Sequence, residues 1–324
     1  MGRYLKVFLV LLGSGLLALS FLPDRPFEPE SRRLNADFPD YLKARLKESA
    51  SLGVPQHNQE KFLDFGPQTE LCFLYIHGFT TSRGEGEEVV DALAQQFRAN
   101  TYYLRLPGHG SSPEDLRKQS ASDYLQAVEE AYFAFRQRGK KCFVIATSMG
   151  GLLGLELASR HSELAGLILA SPAAGFHEFY VPYISHPWVL PLLEIATRDR
   201  LSRNERIVPA EQAMRWYQEK YTSSYAAVFE LWRRVARPAV YAKINQPVLL
   251  LYHYRDEAHQ DPGVSVRAML EMFSALGDKG GHPLNRSVPV AHGNHVLLSR
   301  YVESDRELAF REMARFIADV SQEK

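Results

Sequence analysis

Cysteine is nearly absent from this chain of 324 residues: only Cys72 and Cys142 occur. Two cysteines exclude a disulfide framework. They also fall short of the ligand set and spacing of a structural metal site. Each stands near the start of an apolar run, where a buried free thiol is the expected state. Charge of one sign is lacking too. Lys plus Arg and Asp plus Glu both total 38, so the formal net charge is zero. No basic field recommends nucleic acid as a partner. No repeat and no low-complexity tract appears. The hydrophobic fraction of 45% and charged fraction of 23% suit one large globular domain with an insertion rather than a fibrous or disordered chain.

One long uncharged, mostly aliphatic run stands near the start of the chain. Residues 7–22, VFLVLLGSGLLALSFL, follow Arg3 and Lys6 and stop at Pro23-Asp24. A basic start before an apolar stretch reads as a signal peptide or signal anchor over residues 1–22. The run is somewhat shorter than the ~20 residues of a comfortable membrane span. Ala18 and Ser20 are small and spaced for cleavage after Ser20, whereas the continuation through Phe21-Leu22 favours an uncleaved anchor. In both cases the leading positive charges place the rest of the chain on the non-cytoplasmic side, periplasmic or extracellular. Residues 23–60 are rich in charge and proline and read as a tether with a short helix around Tyr41 to Glu48.

The chemistry concentrates further on. Cys142 to Thr147 reads as a buried parallel strand. Ser148 follows at once, then Met149, Gly150 and Gly151, then the helical run LLGLELA. Strand, sharp turn with Ser at its tip, and helix form a nucleophile elbow. The turn is tight enough that positions two before and two after the Ser must be small. They are Ala146 and Gly150, and Ala146 departs from the Gly usual there. A bland alternative makes Ser148 a simple helix N-cap. Leu71 to Ile76 is a second buried strand, running into His77-Gly78-Phe79-Thr80. Glu87 to Arg98 reads as an amphipathic helix and Thr101 to Leu106 as the next strand, which ends in PGHGSS, Pro107 to Ser112. Ser120 and Asp123 are spaced as a capping box for a helix reaching about Arg138. Gly166 to Ser171 is a further strand. Alternating strands and helices predict a mostly parallel sheet covered on both faces.

That alternation breaks over residues 176–242, which are helical in composition and crowded with aromatics. No strand pattern is evident there, and the stretch reads as a helical lid insertion whose inner face lines an acyl pocket. The charged patch Arg198 to Arg206 reads as its solvent face, with steering of an anionic substrate as the alternative. The sheet resumes at Pro247 to His253 and leads through Tyr254-Arg255 to Asp256. A last strand, Ser287 to Val290, precedes Ala291 to Leu298, and an amphipathic helix from Glu307 to Val320 closes the chain.

Ser148, a late carboxylate and a late histidine thus follow strand ends, where open α/β sheets place their sites. Asp256 fits the acid by spacing and Asp261 is its rival. His292, closer to the strand end, and His295, followed by Val-Leu-Leu, compete for the base, and His77 and His109 invite the same role.

Together HGF, PGHGSS, TSMGG, the late Asp and the final His resemble the monoacylglycerol lipase and carboxylesterase branch of the α/β-hydrolases, which overlaps with serine aminopeptidase-like proteins. The resemblance covers roughly residues 60 to 322 and is weakest in the insertion. It implies an α/β-hydrolase fold, with core segments 61–175 and 243–324 around the lid. It implies hydrolysis of a carboxylic ester through an acyl-enzyme, on a triad of Ser148, Asp256 and His295. The backbone N–H groups of Phe79 and Met149 would form the oxyanion hole. No cofactor and no metal are implied, and the partner is a small-molecule or lipid ester. An amidase, peptidase or thioesterase would use the same machinery. A tethered binding protein without catalysis is the alternative from a different class.

Overall fold

The computed structural model describes residues 27–31, 34, 36–178, 180–186, 189–203, 208–278 and 281–323. The expected signal or anchor at residues 1–22 lies outside them. Among the described residues no helix is long and apolar enough to cross a membrane.

The strands are β1 (Lys61–Leu63), β2 (Thr69–Ile76), β3 (Asn100–Leu104), β4 (Gly139–Thr147), β5 (Gly166–Ala170), β6 (Leu201–Arg203), β7 (Glu219–Tyr221), β8 (Val248–Asp256), β9 (His259–Gln260) and β10 (Arg286–Val290). The main sheet runs β1-β3-β2-β4-β5-β8-β10, with β9 paired to β8. From β3 to β10 neighbours pair in parallel, and β1 lies antiparallel on the β3 edge. Parallel strands covered on both faces read as continuous apolar runs, as Leu71–Ile76 does. Its residues alternate between two cores. Cys72, Leu74 and Ile76 face the helices Ala121–Phe135 and Met149–Arg160. Leu71, Phe73 and Tyr75 face Glu87–Phe97 and Arg306–Gln322. Cys72 stands directly opposite Cys142 in the register, and both are buried free thiols.

The helix expected around Tyr41 to Glu48 extends over Phe38–Ser51. Asp37 caps it by accepting from the Asp40 N–H at 3.0 Å. It is docked, not a loose tether: Phe38 packs against Phe62, Tyr102 and Phe135. Buried Arg105 donates to Ser49 Oγ at 2.6 Å and lies 3.3 Å from the buried Glu60 carboxylate, fixing the helix end to the strand edge.

Between β5 and β8 the chain is largely helical, with Val189–Thr197 and Tyr225–Val235 its longest helices. It also contains the antiparallel ribbon β6–β7, which the sequence reading did not expect. Each of those strands is three residues long, and neither is buried, so no apolar alternation marks them. Arg198, Arg200 and Arg203 are exposed, as expected of a solvent face.

Candidate active site

β4 ends at Thr147, and the chain must reverse into the helix Met149–Arg160 within one residue. Ser148 absorbs the reversal at φ 51°, ψ −119°, a conformation that L-residues adopt only under constraint. Three backbone bonds supply that constraint. The Ser148 N–H donates to Ala170 O at 3.1 Å, and Ser148 O accepts from the N–H groups of Gly151 at 2.9 Å and Ala173 at 3.0 Å. A Cβ on Gly150 would lie 2.4 Å from Ile76 O and 2.6 Å from His77 O, so only glycine lets the helix pass β2. Ala146 takes the place of the usual glycine because Gly154 makes room for it. A Cβ at Gly154 would come within 3.2 Å of the Ala146 methyl and 3.1 Å of Leu167 Cδ1.

The elbow presents Ser148 Oγ to His295, whose Nε2 lies 2.8 Å away. On the far side of the ring, Nδ1 lies 3.0 and 3.1 Å from the two carboxylate oxygens of Asp261. Asp261 is fully buried and also accepts from the N–H groups of Gly263 at 2.8 Å and Val264 at 3.0 Å. These bonds leave Nδ1 as the protonated nitrogen and Nε2 free to accept from the Ser hydroxyl. Burial works against ionisation of Asp261, but the charge and hydrogen bond of His295, with the two backbone donors, outweigh it and hold the carboxyl below its usual range. Burial likewise works against the His295 imidazolium, yet Asp261, with a further contribution from Glu85, lifts the ring above its ordinary value.

The assignment of Asp256 as the acid is therefore corrected. β8 does not stop at His253 but continues to Asp256, then turns back through β9 as a hairpin. Asp256 sits at that exposed turn. It accepts from His259 at 2.7 Å and from the Ala258 N–H at 3.0 Å, and the His259 bond pulls its carboxyl down to about 2. The extra residues between Asp256 and Asp261 are the hairpin, and the carboxylate that reaches the histidine follows it. Of the two late histidines, His295 meets Ser148, while His292 is exposed.

His77 and His109 order the loop after β2. His77 Nε2 accepts from the Leu106 N–H at 3.2 Å, and its Nδ1 donates to Gly78 O at 2.8 Å. His109 Nε2 accepts from the Thr80 N–H at 3.2 Å, and its Nδ1 donates to Pro107 O at 2.9 Å. Burial drives His77 down to about 4 and His109 well below its ordinary value, so both rings stay neutral. This loop brings Phe79 beside Ser148 and Met149 on the wall of one cavity of about 550 Å³. Met149 is the first residue of its helix, so its N–H has no intrahelical acceptor.

The cavity's remaining walls are apolar and come mainly from the insertion: Phe176, Tyr180, Val181, Ile184, Leu190, Leu193, Tyr225, Val228 and Phe229. Other aromatics of that segment fasten it down. Trp232 Nε1 donates to Ala174 O at 3.0 Å, Trp216 packs on Tyr301, and the Tyr217 hydroxyl donates to Gly108 O at 2.8 Å. Phe179 and Trp188 lie outside the described residues. Among the described residues no group of His, Cys, Asp or Glu is arranged to hold a metal ion.

A mostly parallel sheet, a serine on an elbow and a histidine–carboxylate pair after the later strands define an α/β-hydrolase. The family model for serine aminopeptidase, S33 (Hydrolase_4), matches residues 67–279, and the chain belongs to that family. It is similar to the thermostable monoacylglycerol lipase of Bacillus sp. (strain H-257), 36% identical over 96 residues. That match spans 29% of this chain and 38% of the length of that relative. In fold it is similar to a structure from work on LipS and LipT, two metagenome-derived lipolytic enzymes: the TM-score is 0.63 at 18% identity, covering 82% of this chain and 99% of that one. A soluble variant of monoglyceride lipase from Saccharomyces cerevisiae in complex with a substrate analogue gives 0.59 at 16% identity, covering 82% and 92%.

Proposed function

We propose that the protein hydrolyses carboxylic esters of apolar acyl groups, monoacylglycerol-like lipids among them, through an acyl-enzyme on Ser148. The observation that carries this reading is the unbroken line Ser148 Oγ–His295 Nε2, His295 Nδ1–Asp261, opening onto an apolar cavity. A neutral hydroxyl is a poor nucleophile, so His295 takes its proton as the Ser148 oxygen attacks the ester carbonyl. Asp261 holds the ring tautomer and stabilises the imidazolium. The N–H groups of Phe79 and Met149 receive the negative oxygen of the tetrahedral intermediate, each such donor lowering the barrier by ~3 kcal/mol. The imidazolium then gives its proton to the leaving alcohol, and a water activated by the same histidine releases the acid. The partial match to a monoacylglycerol lipase supports the substrate class. The test is Ser148→Ala: it should fold with an unchanged melting temperature and lose hydrolysis of p-nitrophenyl butyrate, and near-normal turnover would refute the mechanism.

We also propose that the catalytic domain is tethered to a membrane on its non-cytoplasmic face. Support comes from Arg3 and Lys6 ahead of the uncharged residues 7–22. With its native N-terminus the activity should sediment with membranes and be accessible to protease added from the non-cytoplasmic side. Recovery of the intact chain in the cytosolic fraction would refute this.

A further inference from the structure

A buried acid lies behind the reaction centre and takes no proton in the mechanism above. Glu85 is 2% exposed and ends the short helical turn Arg83–Glu85 that follows the HGFT loop. Its Oε2 accepts from the Gly78 N–H at 2.6 Å and from the Thr147 hydroxyl at 2.5 Å. Those partners are the residues immediately before Phe79 and Ser148. The Tyr75 hydroxyl lies 3.3 Å from Thr147 Oγ1 and, with the Thr proton already given to Glu85, donates to it. A Cβ added to Gly78 would meet Glu85 Oε1 and Ser148 Cβ, each at 3.0 Å. The carboxyl and the nucleophile's own carbon thus both crowd the same Gly78, one residue before Phe79.

We infer that Glu85 is a positioning residue for ester hydrolysis, a single acceptor that fastens the loop after β2 to the end of β4 and so sets the separation between the Phe79 and Met149 N–H groups. This rests on the proposed reading of Ser148 as an esterase nucleophile. The physical logic lies in where the two amides come from. One sits on a loop after β2 and the other on the first residue of the elbow helix, and no covalent path shorter than a whole strand–helix–strand unit joins them. Oxyanion stabilisation depends on donors held at fixed positions before charge develops, and buried polar groups with every partner in place supply such rigidity. Glu85 acts through hydrogen-bond acceptance, so an amide oxygen at the same place can do the same work.

Four proteins compared on p-nitrophenyl butyrate test this: wild type, Glu85→Ala, Glu85→Gln and Thr147→Val, each with a thermal melt. Because the oxyanion exists only beyond the ground state, the loss should fall on kcat and leave KM within about twofold. Glu85→Ala should lower kcat roughly a hundredfold, as removal of an oxyanion donor does. Glu85→Gln should stay within about threefold of wild type, since acceptance is retained. Thr147→Val keeps volume and removes one strap, so kcat should fall about tenfold, which reads the effect even where Glu85→Ala does not fold. Affinity for an alkyl boronic acid, which forms a tetrahedral adduct on the serine, should weaken in step with kcat. If folded Glu85→Ala keeps kcat within threefold, if the loss appears in KM, or if Gln rescues no better than Ala, the inference is overturned while the esterase reading stands. A wild-type protein inert toward every ester overturns both.

Discussion

At the scale of single residues, two carboxylates separated by a short hairpin have opposite surroundings. Asp261 has no exposed surface and touches His295, and Asp256 is exposed and touches His259. Asp261→Asn should lower kcat by roughly four orders of magnitude, because an amide facing Nδ1 favours the wrong ring tautomer. Asp256→Asn should change kcat by about twofold at most, as surface substitutions do. Steady-state kinetics of the pair checks both, and the opposite order would return the acid to Asp256. The pH dependence follows from the direction of the His295 shift. The base works only as neutral imidazole, and Asp261 and Glu85 raise the pH at which it loses its proton above the ordinary 6.5. The acidic limb of kcat/KM should therefore fall away as pH drops through a value above 6.5. The same shift acts on stability in the reverse sense. A raised imidazole contributes stability that is present below its unfolded value and lost as pH rises through the folded one. A limb at or below 6.5 would show that Asp261 does not support the imidazolium.

At the scale of elements, what was legible in the sequence and what was not divides along one line. Strands buried on both faces declare themselves as apolar runs, so Leu71–Ile76, Cys142–Thr147 and Gly166–Ala170 were readable. So was Ser148, directly at the end of such a run, while His295 was read from its place in the loop after the last strand. The β8–β9 hairpin was not readable, since Tyr254, Arg255 and Asp256 are polar or half-exposed and look like loop. That concealed extension moved the acid from Asp256 to Asp261. Glu85 was invisible for a different reason: its role comes from two partners remote in sequence, Gly78 and Thr147, which no local pattern joins. The elbow carries a similar long-range compensation, between Ala146 and Gly154. Alanine for Gly154 gains up to ~1 kcal/mol of helix propensity. It also pushes a methyl to within 3.2 Å of Ala146 and 3.1 Å of Leu167, and overpacking of this kind costs about 1–3 kcal/mol. Gly154→Ala should therefore be destabilising by about 1 kcal/mol in urea unfolding. Ala146→Gly should recover stability in that background and lose it in the wild type. Additive effects of the two substitutions would mean that the small pair is coincidental.

At the scale of the whole molecule, the insertion between β5 and β8 walls the cavity over the reaction centre, and in the proposed function that wall selects the acyl group. The core supplies Ser148, His295, Asp261 and the Phe79 loop. The insertion supplies most of the apolar wall, with Leu190 and Phe229 buried against each other's cluster and Leu193, Ile184 and Val181 beside them in the cavity. Each methylene of an acyl chain that leaves water for such a wall gains ~0.8 kcal/mol. If that gain is held in the transition state, kcat/KM should climb by up to about fourfold per methylene. The climb must stop where about 550 Å³ of space is filled and further carbons return to water. Across p-nitrophenyl esters the profile should thus rise from acetate to roughly butyrate–octanoate and then fall. Narrowing the cavity with Leu193→Trp should move the maximum to shorter chains while acetate hydrolysis stays near its wild-type rate, since the serine, histidine and oxyanion donors are untouched. A flat profile, or one falling steadily from acetate, would mean that the insertion's aromatics pack on one another without receiving the acyl chain, and that selectivity is set on the alcohol side of Ser148.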